Sequence, residues 1–344
     1  MTARALHCAL WLGLALIAAG CKEKSKTPPP PPPEITGLAA VPASALAVIG
    51  ADVAKLGESE IAERAITDLL VRERGLSEKW QHLQSVCKLD LLHKIDHVML
   101  AVGPPPPDAP HGTGPALLVA IGKLVETDLA ACVRTLVGNG GGTLTATASN
   151  GRTVYVAKDG NRALYFAFSR ADTLVLANQE AYLIEAISGG KKAPDSEALK
   201  ELLAMVDQRS PLWFAGRLPP RVSGGLIAVV PGLKAGPSSV VGTVDLTRGA
   251  KVELGAVMST EPDAKTLESF TNDQMKLVGG FAQFRSLGPL VNKIKVAAND
   301  KVVRFGVELT TEEVNQLLSV LDAGPQPKQG SPPAQGSGTP PGPH

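Results

Sequence analysis

A chain of 344 residues that is 44% hydrophobic and 19% charged can bury a substantial core, which excludes a disordered polymer. Its 34 basic and 33 acidic residues leave a net charge of +1, so neither a nucleic-acid footprint nor a polybasic membrane patch is expected. Aromatic residues make up only 4%, too few for a platform on which successive bases or sugars could stack.

The chain opens with Arg4 and an apolar run from Ala5 to Ala19. That is a charged segment followed by an apolar one too short for a stable membrane span, the pattern of an export signal. The run ends Leu16-Ile17-Ala18-Ala19-Gly20-Cys21. This stretch resembles the lipobox of bacterial lipoproteins, where small residues precede a cysteine that becomes the lipidated first residue. Ala19 and Gly20 fill the small sites, Cys21 is the acceptor, and Ala18 departs from the commoner leucine. The resemblance covers only the first 21 residues. It implies that residues 1–20 are removed, that Cys21 carries several acyl chains, and that the protein is held to a membrane of the bacterial cell envelope. Lys22 stands where an aspartate would act as an inner-membrane retention signal, so the resemblance also implies the outer membrane, facing the periplasm.

Residues 21–34 read as a spacer. Six prolines, Pro28 to Pro33, favour polyproline II and would reach about 19 Å at ~3.1 Å per residue. The body opens with Val41-Pro42 and a strand over Ala45 to Val53. A helix follows near Glu58 to Arg74, with Ile61, Ala65, Ile66, Leu69 and Leu70 on one inward face. A second helix near Ser77 to Lys88, capped by Ser77, turns Trp80, Leu83, Val86 and Cys87 inward. Strands His97 to Val102 and Ala116 to Ile121 flank a proline-rich loop and are able to pair. A helix from Glu126 to Val137 buries Leu129, Cys132, Val133, Leu136 and Val137. The run Gly138-Asn139-Gly140-Gly141-Gly142 follows a helix, whereas a phosphate cradle leads into one, so it reads as a helix stop.

Strands are then expected over Arg152 to Ala157, Arg162 to Phe168 and Thr173 to Leu176, with Lys158-Asp159-Gly160-Asn161 as a hairpin turn. Helices near Gln179 to Ile187 and Ser196 to Val206 precede a strand at Leu212 to Arg217. Pro219-Pro220 and the glycines at 224 and 225 suggest a boundary. Beyond it, strands Ser239 to Leu246 and Lys251 to Ser259 flank the Arg248-Gly249 turn. A helix covers Asp263 to Val278, and a short one lies near Phe284 to Leu290. Ile294 to Ala297 and Val302 to Leu309 form a hairpin over Asn299-Asp300. Thr310 and Glu313 form a capping box for a last helix to Leu321. The run from Ala323 to His344 is Pro, Gly, Ser and Gln with nothing to bury and reads as a disordered tail.

The order strand, acidic turn, helix, hairpin, helix occurs twice, from Ala116 and from Lys251. The expected fold is therefore α+β, with two similar β-β-α-β-β-α halves over residues 35–219 and 220–322. Alternation of apolar with polar or small residues favours antiparallel sheets covered by helices. In outline the body resembles uncharacterised envelope lipoproteins whose folded part opens with a Pro-containing strand and a helix.

Site chemistry is sparse. His93 and His97 are four apart, but His97 begins a strand, where that spacing separates side chains by about 13 Å, too far to share a metal ion. No catalytic residue, cofactor site or metal site is assigned. Once Cys8 is discarded and Cys21 lipidated, Cys87 and Cys132 are the two thiols left in an oxidising compartment. A disulfide between them is expected, the alternative being two separately buried thiols. The preferred reading is a non-catalytic, lipid-anchored module that binds an envelope protein or other envelope component. The rivals are capture of a small solute between the halves and an enzyme without a short motif. Cys21→Ser is expected to leave the precursor uncleaved and to abolish fatty-acid labelling; mass spectrometry finding an unmodified mature terminus elsewhere would refute the anchor.

Overall fold

The computed structural model describes residues 35–88, 90, 93–106, 114–149, 151–282 and 288–322. The expected leader, Cys21, the expected spacer and the expected tail after 322 lie outside these residues. In chain order the strands are β1 (Ala47–Asp52), β2 (Ile95–Val102), β3 (Ala116–Gly122), β4 (Thr143–Ser149), β5 (Arg152–Asp159) and β6 (Arg162–Arg170). They continue with β7 (Thr173–Ala177), β8 (Leu212–Arg217), β9 (Ser239–Asp245), β10 (Ala250–Val257), β11 (Lys295–Asn299) and β12 (Val302–Leu309). The helices are α1 (Val53–Gly57), α2 (Glu60–Arg72), α3 (Arg74–Cys87), α4 (Glu126–Asn139) and α5 (Glu180–Ile187). After them come α6 (Glu197–Ala204), α7 (Pro220–Val229), α8 (Glu261–Ala282), α9 (Gly288–Val291) and α10 (Thr311–Asp322).

All twelve strands join one sheet in the order β11-β12-β10-β9-β8-β1-β2-β3-β7-β6-β5-β4. Every neighbouring pair is antiparallel. The α+β class with a large antiparallel sheet is thus the architecture. The strand count of the first half differs from the expected β-β-α-β-β-α unit: four strands follow α4, the three predicted ones and Thr143–Ser149, which pairs with β5. Threonines alternating with Leu144 and Ala146 carried no strong apolar period, so this strand escaped the sequence reading. The boundary expected at 219/220 falls between β8 and β9, which pair along Leu212–Val244 to Arg217–Ser239. The halves therefore share one sheet.

Side chains alternate between the two faces of a strand, so the registers sort the core. On the back face, Val48, Ala101, Leu117, Trp213, Ala215 and Val241 pack against Tyr182, Leu183, Ile187, Leu199 and Leu203 of α5 and α6. On the front, two separate helical packages sit over the two ends of the sheet. Over β3, β7, β6 and β5, Leu118, Leu176 and Phe166 meet Leu83 of α3 and Leu129 and Val133 of α4. Over β10, β12 and β11, Ala256, Val303 and Phe305 meet Leu226 of α7 and Ala264, Leu267 and Phe270 of α8. At the far end of those strands Leu309 and Val307 meet Val314 of α10, Leu290 of α9 and Ile61 of α2.

Local signals explain the ends of these elements. Gly140 caps α4 and Gly141 takes φ 78°, so the glycine-rich run stops a helix. Thr310 Oγ1 accepts from the Glu313 N–H at 3.3 Å and Glu313 Oε2 accepts from the Thr310 N–H at 2.9 Å, the reciprocal cap of α10. Three helical expectations change. Ser77 lies inside the first turn of α3, which starts at Arg74, because Glu73 rather than Ser77 breaks the preceding helix. Pro219-Pro220 opens helix α7, with Pro220 at its first position, where a missing N–H costs nothing. The helix expected near Phe284 is described only as α9 at Gly288–Val291; residues 283–287 lie outside the described ones.

Cys87 at the end of α3 and Cys132 in the middle of α4 form a disulfide, with Cα atoms 5.2 Å apart and a sequence separation of 45. It ties the two front helices to each other over the apolar cluster they share. In the chain-entropy view a loop of this length is worth about 4 kcal/mol. Cys132→Ala is expected to lower the unfolding free energy by about that amount in denaturant melts, and alkylation of the denatured, unreduced wild type should label neither residue.

Candidate functional site

Four central strands, β9, β8, β1 and β2, lie between the two front packages. From their registers, Val240 and Val244, Leu212 and Phe214, Ala47, Ile49 and Ala51, and Val98, Leu100 and Val102 point to the front. Each is apolar, and none is buried. Ile49 is 42% exposed and Val102 40%, while Val48 and Trp213, on the back of the same strands, are 0% and 3% exposed. Leu254 of β10, in line with Gly242 and Phe214, continues the strip at 40% exposure. At roughly 4.8 Å per strand the floor is about 19 Å wide.

Two glycines shape the centre. A Cβ at Gly242 would lie 2.6 Å from Phe214 Cζ, so only glycine lets this ring lie over β9. On the back, a Cβ at Gly50 would lie 2.2 Å from Trp213 Cε2, so the indole packs directly on β1 and seals that side.

Helices framing the floor also carry uncovered apolar side chains. Ser59 caps α2 by accepting from the Ala62 N–H at 3.2 Å, and its hydroxyl donates to the Leu246 carbonyl at 2.5 Å. With Ile61 this fixes the start of α2 in the package over β12, and α3 belongs to the package over β3 and β7. Helix α2 therefore spans the interval between the packages. The inward face expected for it is only begun: Ile61 and Ala62 are buried, whereas Ile66 and Leu69 are 48% and 38% exposed. Helix α7 buries no residue, and Val222, Ile227 and Val229 are exposed along it.

Two pockets carry ionisable side chains. The larger, about 1000 Å³, lies where the β9–β10 turn meets the starts of α2 and α10, and is lined by Glu60, Arg248, Lys251, Glu253, Lys293 and Glu308 among others. Two of its cations are engaged: Lys251 Nζ is 2.9 Å from Glu253 and Lys293 Nζ is 2.5 Å from Glu313. Hydrogen bonding to Glu253 raises the Lys251 pKa, and the Lys293 ammonium holds Glu313 below the usual carboxylate range, so both keep their ordinary charges. The smaller, about 320 Å³, is lined by Trp213, Gly50, Asp52, Lys55, His97 and Ser210, with Ala51 and Val98 of the floor at its margin. Here Asp52 caps α1, accepting from the Lys55 N–H at 3.0 Å, with Lys55 Nζ 2.9 Å away and His97 Nδ1 4.0 Å away.

His93, four residues before His97, sits in a turn and pairs with Asp90 at 2.8 Å, so the two imidazoles serve different carboxylates. Among the described residues no group of three His, Cys, Asp or Glu side chains is placed to hold a metal ion, and no helix is long and apolar enough to cross a membrane. Cys87 and Cys132 lie in the front package beside the floor.

No family model and no curated protein matches this chain. A solved structure titled "Structure of crystal form I of TP0453" is similar at 11% identity and a TM-score of 0.41, over 88% of this chain and 99% of that one.

Burial raises the Asp52 pKa, but hydrogen bonds from the Lys55 side chain and N–H, with the charges of Lys55 and His97, bring it below 3.8 overall. A carboxylate held low stabilises the fold above its unfolded pKa and loses that contribution as pH falls through the folded value. Asp52→Ala is expected to cost about 1 kcal/mol at neutral pH. In acid titration monitored by circular dichroism, the difference from wild type should shrink below the ordinary value of 3.8.

Proposed function

We propose that this protein is a lipid-anchored, non-catalytic binding module of the bacterial cell envelope whose front floor receives hydrocarbon chains. The observation that carries the reading is an apolar strip four strands wide that no described helix buries, on strands whose back is closed at its centre by Val48, Ala101, Trp213, Ala215 and Val241. Contiguous exposed apolar surface of this kind marks interaction sites. All four strands have partners on both edges, so an incoming extended peptide would find no free N–H or C=O on them. Its own backbone groups would then be unpaired against an apolar surface, at a cost of a few kcal/mol each. A hydrocarbon chain makes no such demand. The front-facing side chains named above include none that ionises, which supports binding rather than chemistry there.

We also read the fold as an internal duplication. From β1 outward the sheet runs β1, β2, β3, β7, β6; from β8 outward it runs β8, β9, β10, β12, β11. In both series a helix follows the third strand, and another follows the strand that returns beside it. β4 and β5 are additions to the first series. On this reading the second unit starts at β8, and the antiparallel β1–β8 pair is the join.

The test uses a fluorescent long-chain fatty acid and the purified chain. Saturable binding is expected, and Ile49→Glu should weaken it roughly tenfold or more, about 1.4 kcal/mol, without changing the thermal midpoint by more than a few degrees. Unaltered binding by a folded Ile49→Glu variant would overturn the proposal.

A further inference from the structure

The two edges of the sheet are built differently. β11 has five residues, includes exposed Lys295, and lies between Lys293 and Asp300. Short length and edge charge are the usual defences against another strand adding on. β4 has seven residues, Thr-Leu-Thr-Ala-Thr-Ala-Ser, and the twelve residues from Gly140 to Gly151 include no charge and no proline. It pairs with β5 through seven consecutive registers without a bulge. An unkinked antiparallel edge of this kind turns a regular row of N–H and C=O groups outward. Thr145, Ala146 and Thr147, at its centre, are all exposed, and no described strand pairs with its outer side.

We propose that β4 is the self-association surface of this protein, taking β4 of a second copy in antiparallel register about a two-fold axis at Ala146. The strand is close to a palindrome, and that choice of occupant rests on it. Centred on Ala146, the pairing sets Thr145 against Thr147, Leu144 against Ala148 and Thr143 against Ser149 of the other copy. Opposed residues of antiparallel neighbours share a face. Hydroxyls therefore meet hydroxyls on the back and apolar groups meet apolar groups on the front. No like charges are brought together, as they would be if β11 paired with itself. On the front, Leu136 and Val137 of α4 and Leu144 are half-buried members of the package over this end of the sheet. The second copy would extend that package across the axis. An isologous contact of this kind closes on itself and gives a dimer, leaving the charged β11 edges outermost.

Sedimentation equilibrium of the full chain in density-matched detergent tests this. Wild type is expected to dimerise. Ala146→Lys and Ala146→Glu, each placing like charges across the axis, should each weaken self-association roughly a hundredfold, about 2.8 kcal/mol. An equimolar mixture of the two variants should recover a dimer, since opposite charges then face each other. Circular dichroism melts confirm that each variant folds; Ala146 is exposed, so both should. A monomeric wild type, an Ala146→Lys variant that dimerises unchanged, or failure of the folded variants to recover a dimer on mixing would each overturn the proposal. Envelope crosslinking that captures a different protein on β4, with wild type monomeric, would assign the edge to a foreign strand instead.

Discussion

The antiparallel pairing of β1 with β8 is the contact on which the rest of the molecule depends. It joins residues 47–51 to residues 212–216 and lies between two runs of strands that otherwise pair only within themselves. Trp213 is its lock: packed against Gly50 and 3% exposed, it closes the back of the pair beneath α6. Because that pair is central, its front face is also the one place that neither helical package reaches. Structure and candidate site thus share an origin, since the centre of the join between the two runs is packed on one side and open on the other.

Much of this was legible in the sequence. The strands from β5 to β12 follow alternating patterns and turn residues, such as the hairpin at Gly160 with φ 54° and that at Asp300 with φ 50°. The α10 cap was written in Thr310 and Glu313. What could not be read was coverage. Ala-Val-Ile-Gly-Ala in β1 and Val-Met-Leu-Ala-Val in β2 are apolar on both alternations, a pattern that ordinarily means burial on both faces. Only the long-range placement of α3 and α8 shows that one of those faces is left without a helix. The same limit applies to α2, where an amphipathic period predicted an inward face and the structure buries its first turn alone. Periodicity says which side of a helix is apolar; it does not say whether anything comes to meet it.

A second failure has a different cause. β4 is rich in threonine and alanine and lacks the aliphatic alternation that identifies a half-buried strand. Its place is secured by the hairpin to β5 and by α4 packed over it, backbone and packing contacts that leave no apolar alternation in its own sequence. Weak patterning is what an edge strand shows when burial is not its purpose.

An uncovered apolar floor has a thermodynamic meaning of its own. Burying a large aliphatic or aromatic side chain contributes about 1.5–3 kcal/mol, and whole domains are stable by only about 5–15 kcal/mol. Leaving Ile49, Leu100, Val102 and Phe214 partly in water forgoes an appreciable share of what the fold could have gained. The fold tolerates this because its backbone is saturated by neighbours on both sides and its back face is sealed by Val48, Ala101, Trp213 and Val241. A single polar side chain per strand would have made the front ordinary surface, at little cost to the sheet. β10 and β12 do just that on their back faces, where Lys251, Glu253, Arg304 and Glu308 meet water. The chain can write a solvated strand where it faces solvent, so the unbroken apolar run across β9, β8, β1 and β2 is most simply explained by something other than solvent lying against it.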